Sequence, residues 1–309
     1  MSGLIDRVAA APITWGVSEV PGWGYQLDAA RVLREMRELG IRASELGPDG
    51  YFALDRAVAA EIKRSGFSII AGFMPVVFRP GNGISEALPE LALASSRLAE
   101  TGARLAVLIL ASDQPGYEDQ HALGDDGWDE LAGAVPEVIS LLRERGLTPL
   151  VHPHYGTYVS TGEDVARLLE MTELDLTLDT GHLALAGYDP LEIAAAATGR
   201  VRHVHLKDVD LDLADQVRQG AISYHQAVGD GLFLPLGRGG VRLEETIRLL
   251  EESGYSGWYV LEQDLTLSES PPEGGGPIEC ARLSIEFLKT LEQELDSSSP
   301  SVRRNEGVA

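Results

Sequence analysis

Five short polar runs interrupt the apolar pattern of this chain, and each lies at the end of an apolar segment. They read SELG, VHPHYG, LDTGH, HVHLKD and VLEQD, and three of them hold five of the chain's seven histidines. Burying imidazoles and carboxylates together is costly unless they share a cation or a hydrogen-bond network. Histidine, aspartate and glutamate are also the ligands of borderline divalent ions. The runs therefore predict a metal site, with a purely hydrogen-bonded polar rim as the alternative.

Position within two of these runs separates candidate ligands from neighbouring histidines. In HVHLKD, strand alternation places His203 and His205 on the same face of a strand. His205 is nearer the rim and is the better ligand, whereas His203 is equally well interpreted as a core or supporting histidine. In VHPHYG, the proline interrupts the strand. His152 is therefore predicted as a ligand and His154 as a substrate contact.

Carboxylates end two further apolar segments. Two tryptophans follow the first apolar segment of the chain. Asp179 comes just before Thr-Gly, so a helix N-cap is the alternative to a metal ligand. Glu262 ends the last apolar segment and is a ligand candidate, whereas Asp264 beyond it is interpreted as the start of a turn. Trp15 is expected to lie against the apolar face of a sugar ring. Ordinary packing is the alternative for Trp15 and the favoured interpretation for Trp23.

Regular elements must position these runs, and the chain alternates eight apolar strands with eight amphipathic helices. The predicted strands cover residues 8–15, 41–46, 67–73, 104–110, 147–152, 174–179, 201–206 and 257–262. The predicted helices cover residues 27–39, 55–65, 85–101, 128–145, 163–171, 190–197, 243–253 and 277–295. This order predicts an α/β fold, a closed (β/α)8 TIM barrel whose strands carry the chemistry at their carboxyl ends. An open doubly wound sheet is the alternative, but no G-x-G-x-x-G follows the first strand.

A single catalytic domain is predicted over residues 1–295. Its longest connection, residues 208–240, follows the seventh strand, and a loop of that length is usually functional, often as a lid or substrate loop. Residues 296–309 are polar and rich in serine, and they are predicted to form a disordered tail.

Acidic residues outnumber basic ones by 48 to 25, which gives a formal net charge of −23. Such a surface repels phosphate backbones and anionic membranes, so neither nucleic acid nor a membrane is expected as a partner. Acidity that serves only solubility is the alternative interpretation. The single cysteine, Cys280, cannot form an intrachain disulfide, and the N-terminus lacks signal-peptide features. No apolar run approaches the ~20 residues of a membrane span, so we expect a cytoplasmic protein.

The runs LDTGH, HVHLKD and GYSGWYVLEQD resemble the xylose isomerase-like superfamily of sugar isomerases and epimerases. Within it, APITW, SELG and HPHYGT are most similar to the inosose dehydratases (2-keto-myo-inositol dehydratases), and the resemblance spans residues 11–287. It implies four metal ligands: His152, Asp179, His205 and Glu262. It implies manganese or cobalt as the ion, with magnesium, zinc or iron as alternatives, and a homodimer as one expected assembly.

Two positions bear on the choice of branch within the superfamily. Most members have a glutamate before the proline of the fifth strand, whereas His152 holds that place here, as in inosose dehydratase-like members. The chain reads YVLEQD where inosose dehydratases carry a longer V-E-A-E-Q-D-like string. Because of this departure the identity of the substrate stays open, whereas the expected fold and metal are unaffected.

The resemblance implies a lyase of inositol catabolism that removes water from a cyclic polyhydroxy ketone through a metal-stabilised enediolate. Such a reaction needs a base for the α-proton and an acid for the departing hydroxyl. Glu45 and His154 are the candidates for this pair, with the ligand Glu262 as an alternative base. The other expected contacts to a small polyol or keto-sugar substrate are Trp15, His182, Lys207 and Asp208.

Three other functions share this fold or site. The first is an isomerase or epimerase that uses the same metal and the same enediolate without losing water. The second is a non-catalytic sugar-binding barrel, which would not need several acid–base groups around a metal. The third is a metal-dependent phosphodiesterase of the endonuclease type, against which the negative charge and the lack of a basic stripe weigh.

Overall fold

Short and almost wholly apolar segments form the wall of a barrel. LAVLILA, for example, is buried along nearly its whole length, as expected for a parallel strand that is covered on both faces. In the computed structural model, which describes residues 3–114 and 116–298, eight parallel strands close into a barrel. The barrel strands are β1 (Val8–Ala10), β2 (Ala43–Glu45), β3 (Ser68–Val77), β4 (Leu105–Ala111), β5 (Thr148–Val151), β6 (Asp175–Asp179), β7 (Val201–Leu206) and β10 (Trp258–Leu261). The predicted TIM barrel is therefore confirmed.

Helices follow the strands around the outside of the barrel. Their bounds are α1 (Ala29–Glu38), α2 (Tyr51–Leu54), α3 (Arg56–Ser65), α4 (Leu88–Glu100), α5 (Asp125–Arg143), α6 (Gly162–Met171), α7 (Thr180–Leu185), α8 (Pro190–Ala196), α11 (Leu243–Glu252) and α12 (Pro277–Ser298). Local sequence explains where several of them begin and end. Asp28 and Asp55 cap α1 and α3 by accepting backbone N–H groups, and Gly66 ends α3 with a φ of 70° that favours glycine.

Two strands end at residues that differ from the predicted bounds. The first strand ends at Ala10 rather than at residue 15, because the chain turns into a 3-10 helix over Pro12–Trp15. The third strand continues to Val77, four residues beyond its predicted end, because Ala71 to Val77 all pair with β4.

The connection over residues 208–240 is a folded insertion rather than a loop. It contains α9 (Leu211–Arg218), α10 (Tyr224–Gly229) and an antiparallel pair, β8 (Asp208–Val209) with β9 (Phe233–Leu234). Apolar side chains of the insertion form a buried cluster with Trp23 and Tyr155 from other connections. The insertion therefore has a small hydrophobic core, whereas the sequence alone was interpreted as a long loop.

The predicted tail lies mostly outside the described residues. Its first three residues, 296–298, belong to the last turn of α12, and residues 299–309 are not among those described. Across residues 3–114 and 116–298, none of the helices combines the length and apolarity that crossing a bilayer requires.

Candidate metal and substrate site

The carboxyl ends of β5, β6, β7 and β10 bring the four predicted metal ligands together. Strand pairing places Asp179 directly beside His205, and His152 follows β5 at the same end of the barrel. Glu262 follows β10, where its backbone N–H continues the pairing to Leu206 O at 3.2 Å. His152, Asp179 and His205 are at most 1% exposed. Parallel strand pairing alone thus gathers side chains that are 110 residues apart in sequence.

The donor atoms of this group point at one another. His152 Nε2 lies 3.1 Å and His205 Nδ1 lies 3.5 Å from Asp179 Oδ2. His205 Nδ1 also contacts Glu262 Oε2, yet neither of these two buried atoms has a partner with hydrogen-bond geometry. Ligands about 2.1 Å from a tetrahedral ion lie roughly 3.4 Å apart. The buried nitrogen and oxygen atoms therefore fit a divalent metal ion.

Glu45 supports His205, one of the predicted metal ligands, from behind. Its Oε1 accepts hydrogen bonds from His203 Nε2 at 2.7 Å and from His205 Nε2 at 2.8 Å. The second bond keeps a proton on Nε2 of His205 and turns Nδ1 toward Asp179 and Glu262. Burial opposes ionisation of Glu45, but the two imidazoles outweigh it and hold its pKa well below the usual range. Glu45 is therefore a carboxylate rather than a proton donor.

This contact makes the Glu45→Gln variant informative. We expect its affinity for the divalent ion to fall by about 10–100-fold, because a neutral amide holds the two imidazole N–H groups less firmly. Competition against a metal-chelating dye measures this. Glu35→Gln is the matched control, since Glu35 is a buried carboxylate that pairs with Arg31 and Trp15 instead. Unchanged metal affinity with a ~100-fold loss of kcat would return Glu45 to the acid–base role predicted from sequence.

Lys207 is a fixed positive charge behind the site. Its Nζ is fully buried and lies 2.9 Å from Glu262 Oε1, 3.2 Å from Asp179 Oδ2 and 3.2 Å from Asp264 Oδ1. Burial disfavours the charged amine, but the three carboxylates outweigh it and raise its pKa. Three carboxylates face Lys207, and Glu45 adds a fourth on the far side of His205, so the cluster has a surplus of negative charge that favours a divalent cation.

His154 and His182 stack beside the ligands, with ring centroids 3.8 Å apart. His154 Nδ1 donates to Tyr155 O at 2.7 Å, which leaves Nε2 as the unprotonated nitrogen. Burial, together with the neighbouring His152, lowers the pKa of His154 to about 3. His182 Nδ1 accepts the N–H of Tyr155 at 3.4 Å, and burial also lowers its pKa. The His154 ring is thus a neutral proton or hydrogen-bond acceptor.

A cavity of about 60 Å³ opens beside these groups. Its polar wall carries the side chains of Glu45, His154, Glu262 and Asp264, and Tyr117 donates its hydroxyl across the mouth to Glu19 Oε1 at 2.8 Å. The apolar wall is formed by Ala11, Pro12, Ile13, Val17, Val20, Trp23, Pro48 and Phe73. A mixed wall of this kind suits a polyhydroxylated ring, which has polar edges and apolar C–H faces.

None of the four predicted substrate contacts, Trp15, His182, Lys207 and Asp208, lines the cavity, and the first and last of them have other roles in the fold. Trp15 is fully buried in the main core and donates its indole N–H to Glu35 at 2.8 Å, because the 3-10 helix after β1 turns it away from the mouth. Trp23, for which packing was favoured, packs in the buried cluster of the insertion and also lines the cavity. The carboxylate of Asp208 accepts the backbone N–H groups of Gly237, Gly239 and Val241 at 2.8–3.1 Å. It anchors the insertion and does not line the cavity.

Sequence reasoning also missed residues that surround the cavity. Asp264, interpreted as a turn residue, lines it, and burial raises the pKa of Asp264 to about 6. Its position in the polar run VLEQD was a signal that pointed to the site. Tyr117 and Phe73 line the cavity too, and Tyr224 bonds to Asp264 from the insertion. Tyr117 and Tyr224 carry no sequence signal, since their connections converge only in the folded barrel, whereas Phe73 lies in β3, at the end of the predicted third strand.

Comparison with known proteins connects this geometry to characterised relatives. An inosose dehydratase of Geobacillus kaustophilus (strain HTA426) is 29% identical over 301 residues, which cover 94% of this chain and 96% of the relative. An inosose dehydratase of Bacillus cereus (strain AH820) is 28% identical over 299 residues, which cover 92% and 96%. The expectation of an enzyme and the resemblance to inosose dehydratases are both confirmed.

Solved structures share the fold at lower identity. The IolI protein with a bound zinc atom superposes with a TM-score of 0.68 at 15% identity, covering 93% of this chain and 98% of that chain. L-ribulose 3-epimerase gives a TM-score of 0.67 at 16% identity, covering 95% and 98%. A family model described as xylose isomerase-like TIM barrel matches residues 33–291. The chain therefore belongs to the xylose isomerase-like TIM-barrel family.

Proposed function

We propose that the chain is a divalent-metal-dependent hydro-lyase that removes water from a cyclic polyhydroxy ketone of the inosose type. One observation carries the proposal. Four buried nitrogen and oxygen donors converge beside a cavity whose polar wall also presents a neutral imidazole, that of His154. The names of the curated relatives support the choice of an inosose and of dehydration.

The proposed ligands are His152, Asp179, His205 and Glu262. An ion bound there would supply Lewis-acid polarisation of a substrate carbonyl, which acidifies the neighbouring C–H bond. Manganese and cobalt are the proposed ions, with magnesium, zinc and iron as alternatives, because a mixed nitrogen and oxygen set selects weakly among them. The zinc atom named for the IolI protein is compatible with this range.

Among the chain's own groups, His154 is the proposed base for the α-proton. Its Nδ1 is engaged by Tyr155 O, so Nε2 carries the lone pair. Glu262 is a less suitable base, since Oε2 contacts His205 and Oε1 lies 2.9 Å from Lys207 Nζ. Glu45 is a positioning residue in this proposal, because it acts through His205.

The walls of the cavity would keep water from the reacting centre. The apolar residues around Trp23 and Phe73 cover one side, and the Tyr117–Glu19 contact crosses the mouth.

An isomerase or epimerase on the same metal site is the second candidate. One specific observation favours it. Glu45, which was expected to share the acid–base work with His154, is held by two imidazoles, and this leaves fewer groups to protonate a departing hydroxyl. Epimerisation needs no leaving group, because the proton returns to carbon.

Incubation with scyllo-inosose in deuterated water separates the two reactions, followed by NMR and ultraviolet absorption. We expect loss of water and a conjugated enol or dione product that absorbs in the ultraviolet. A new stereoisomer that keeps its mass apart from deuterium exchange would contradict dehydration and establish the epimerase. Turnover of a ketohexose without any reaction of inososes would do the same. Neither outcome alters the expected ligands.

A further inference from the structure

The folded insertion is tied to the connections that surround the cavity. The carboxylate of Glu118 accepts the backbone N–H groups of Tyr224 at 2.6 Å and of His225 at 3.0 Å, at the start of α10. His225 Nε2 lies 3.0 Å from the carbonyl oxygen of Trp23, whose ring lines the cavity. These contacts hold α10 against the β4–α5 and β1–α1 connections.

Tyr224 reaches from α10 to a residue of the cavity wall. Its side chain is 2% exposed, and its hydroxyl donates to Asp264 Oδ2 at 2.8 Å. The ring packs among other aromatic rings, with centroids 5.6 Å from Tyr155, 6.2 Å from Trp23 and 6.4 Å from Phe233. This packing fixes the ring, so the hydroxyl has one position relative to Asp264.

Asp264 is held from two sides. Oδ2 accepts the Tyr224 hydroxyl, and Oδ1 lies 3.2 Å from Lys207 Nζ. The two partners come from different elements, so together they restrict rotation of the carboxylate plane. Each carboxylate oxygen has two lone pairs, so each keeps acceptor capacity after one contact. Asp264 also lines the cavity, two residues beyond the proposed ligand Glu262.

We propose that Asp264 binds a hydroxyl group of the substrate and that Tyr224 is the positioning residue that aims it. A fixed carboxylate makes short, charge-assisted hydrogen bonds to hydroxyl groups and selects a particular orientation of the ring. Tyr224 does not line the cavity and therefore acts only through Asp264. This inference rests on the proposed function and adds a specificity-determining pair to the site, of which the insertion contributes Tyr224.

The test is a double-mutant cycle of Tyr224→Phe and Asp264→Asn, assayed with whichever of scyllo-inosose or a ketohexose the wild-type enzyme turns over. Tyr224→Phe keeps the ring and should lower kcat/KM about tenfold, the effect of one hydrogen bond to a charged group. Metal content and Tm should stay at wild-type values. In the Asp264→Asn background the same change should cost less than about twofold, because the two residues act as one unit.

Tyr259→Phe is the matched control. It removes a buried tyrosine hydroxyl that also donates to a carboxylate, that of Glu251 at 2.7 Å, and neither residue lines the cavity. Its kcat/KM should equal that of the wild type. The inference is overturned if Tyr224→Phe has wild-type kcat/KM, or if it costs tenfold both with and without Asp264.

A binding measurement keeps the inference separate from the proposed function. Should the wild-type enzyme turn over neither substrate, the proposed function fails, and calorimetric titration with myo-inositol then tests the pair without turnover. Tyr224→Phe should weaken the binding of this polyol about tenfold, whereas Tyr259→Phe should not. Equal affinity of wild type and Tyr224→Phe for myo-inositol, or no binding to either, would overturn the inference.

Discussion

Protein purified without added metal is expected to carry one divalent ion per chain and to lose all turnover when a chelator removes that ion. The physical reason is the surplus of buried negative charge, since three carboxylates surround Lys207 and a fourth, Glu45, holds His205. An ion that binds only the folded state also stabilises it, by about 2.7 kcal/mol at a hundredfold excess over Kd. Chelation should therefore lower Tm by roughly 4 °C. Elemental analysis, a turnover assay and thermal unfolding measure the three effects.

Ligand variants test which atoms hold the ion. His205→Ala and Glu262→Gln should each lose the metal while circular dichroism shows an intact barrel, because each removes one donor of a converging set. His121→Ala is the matched control, since His121 Nε2 pairs with Ser112 away from the ligands. It should keep one ion per chain. Full activity of metal-free protein would refute the metal mechanism, and stoichiometric metal in both ligand variants would show that the ligands are wrongly assigned.

Replacement of His154 by glutamine should lower kcat by ~100-fold or more while leaving the metal content unchanged. This is the usual contribution of one acid–base group. The expectation follows from geometry, because the bond from Nδ1 to Tyr155 O presents an unprotonated Nε2 on a ring that lines the cavity. Glutamine can keep a hydrogen bond to Tyr155 O but offers no basic nitrogen. Steady-state kinetics with the identified substrate, together with elemental analysis, measure both quantities.

His121→Gln is the control for this variant, because it makes the same chemical change outside the cavity. Its kcat should match that of the wild type. A His154→Gln variant with near-normal kcat and a raised KM would assign His154 to substrate binding alone. A variant that loses its metal would instead show that His154 supports the neighbouring ligand His152.

Sequence by itself determined the barrel and the residues offered as metal ligands. Both depend on local periodicity. Apolar strands alternating with amphipathic helices allow few topologies, and parallel strands place their carboxyl ends at one rim. Alternation along HVHLKD was enough to put His203 and His205 on one face. The resemblance to inosose dehydratases then selected one ligand from each of four runs.

Tertiary structure decided what each polar group near the ligands contacts. Glu45 and Asp208 look alike in sequence, as carboxylates after apolar strands. In the fold, Glu45 meets two imidazoles from β7, whereas Asp208 meets the backbone N–H groups of a returning loop. These partners are between 29 and 160 residues away, so no local pattern encodes them.

The fold also decided which tryptophan lines the cavity. The 3-10 helix after β1 sends the Trp15 ring into the core, whereas Trp23, in the connection that follows, lines the cavity. The protonation state of His154 depends on burial among other histidines, and the place of Tyr224 depends on how a 33-residue insertion folds back. Desolvation and packing are properties of the assembled chain. For that reason the sequence predicted the type of chemistry, while the assignment of roles within the site required the fold.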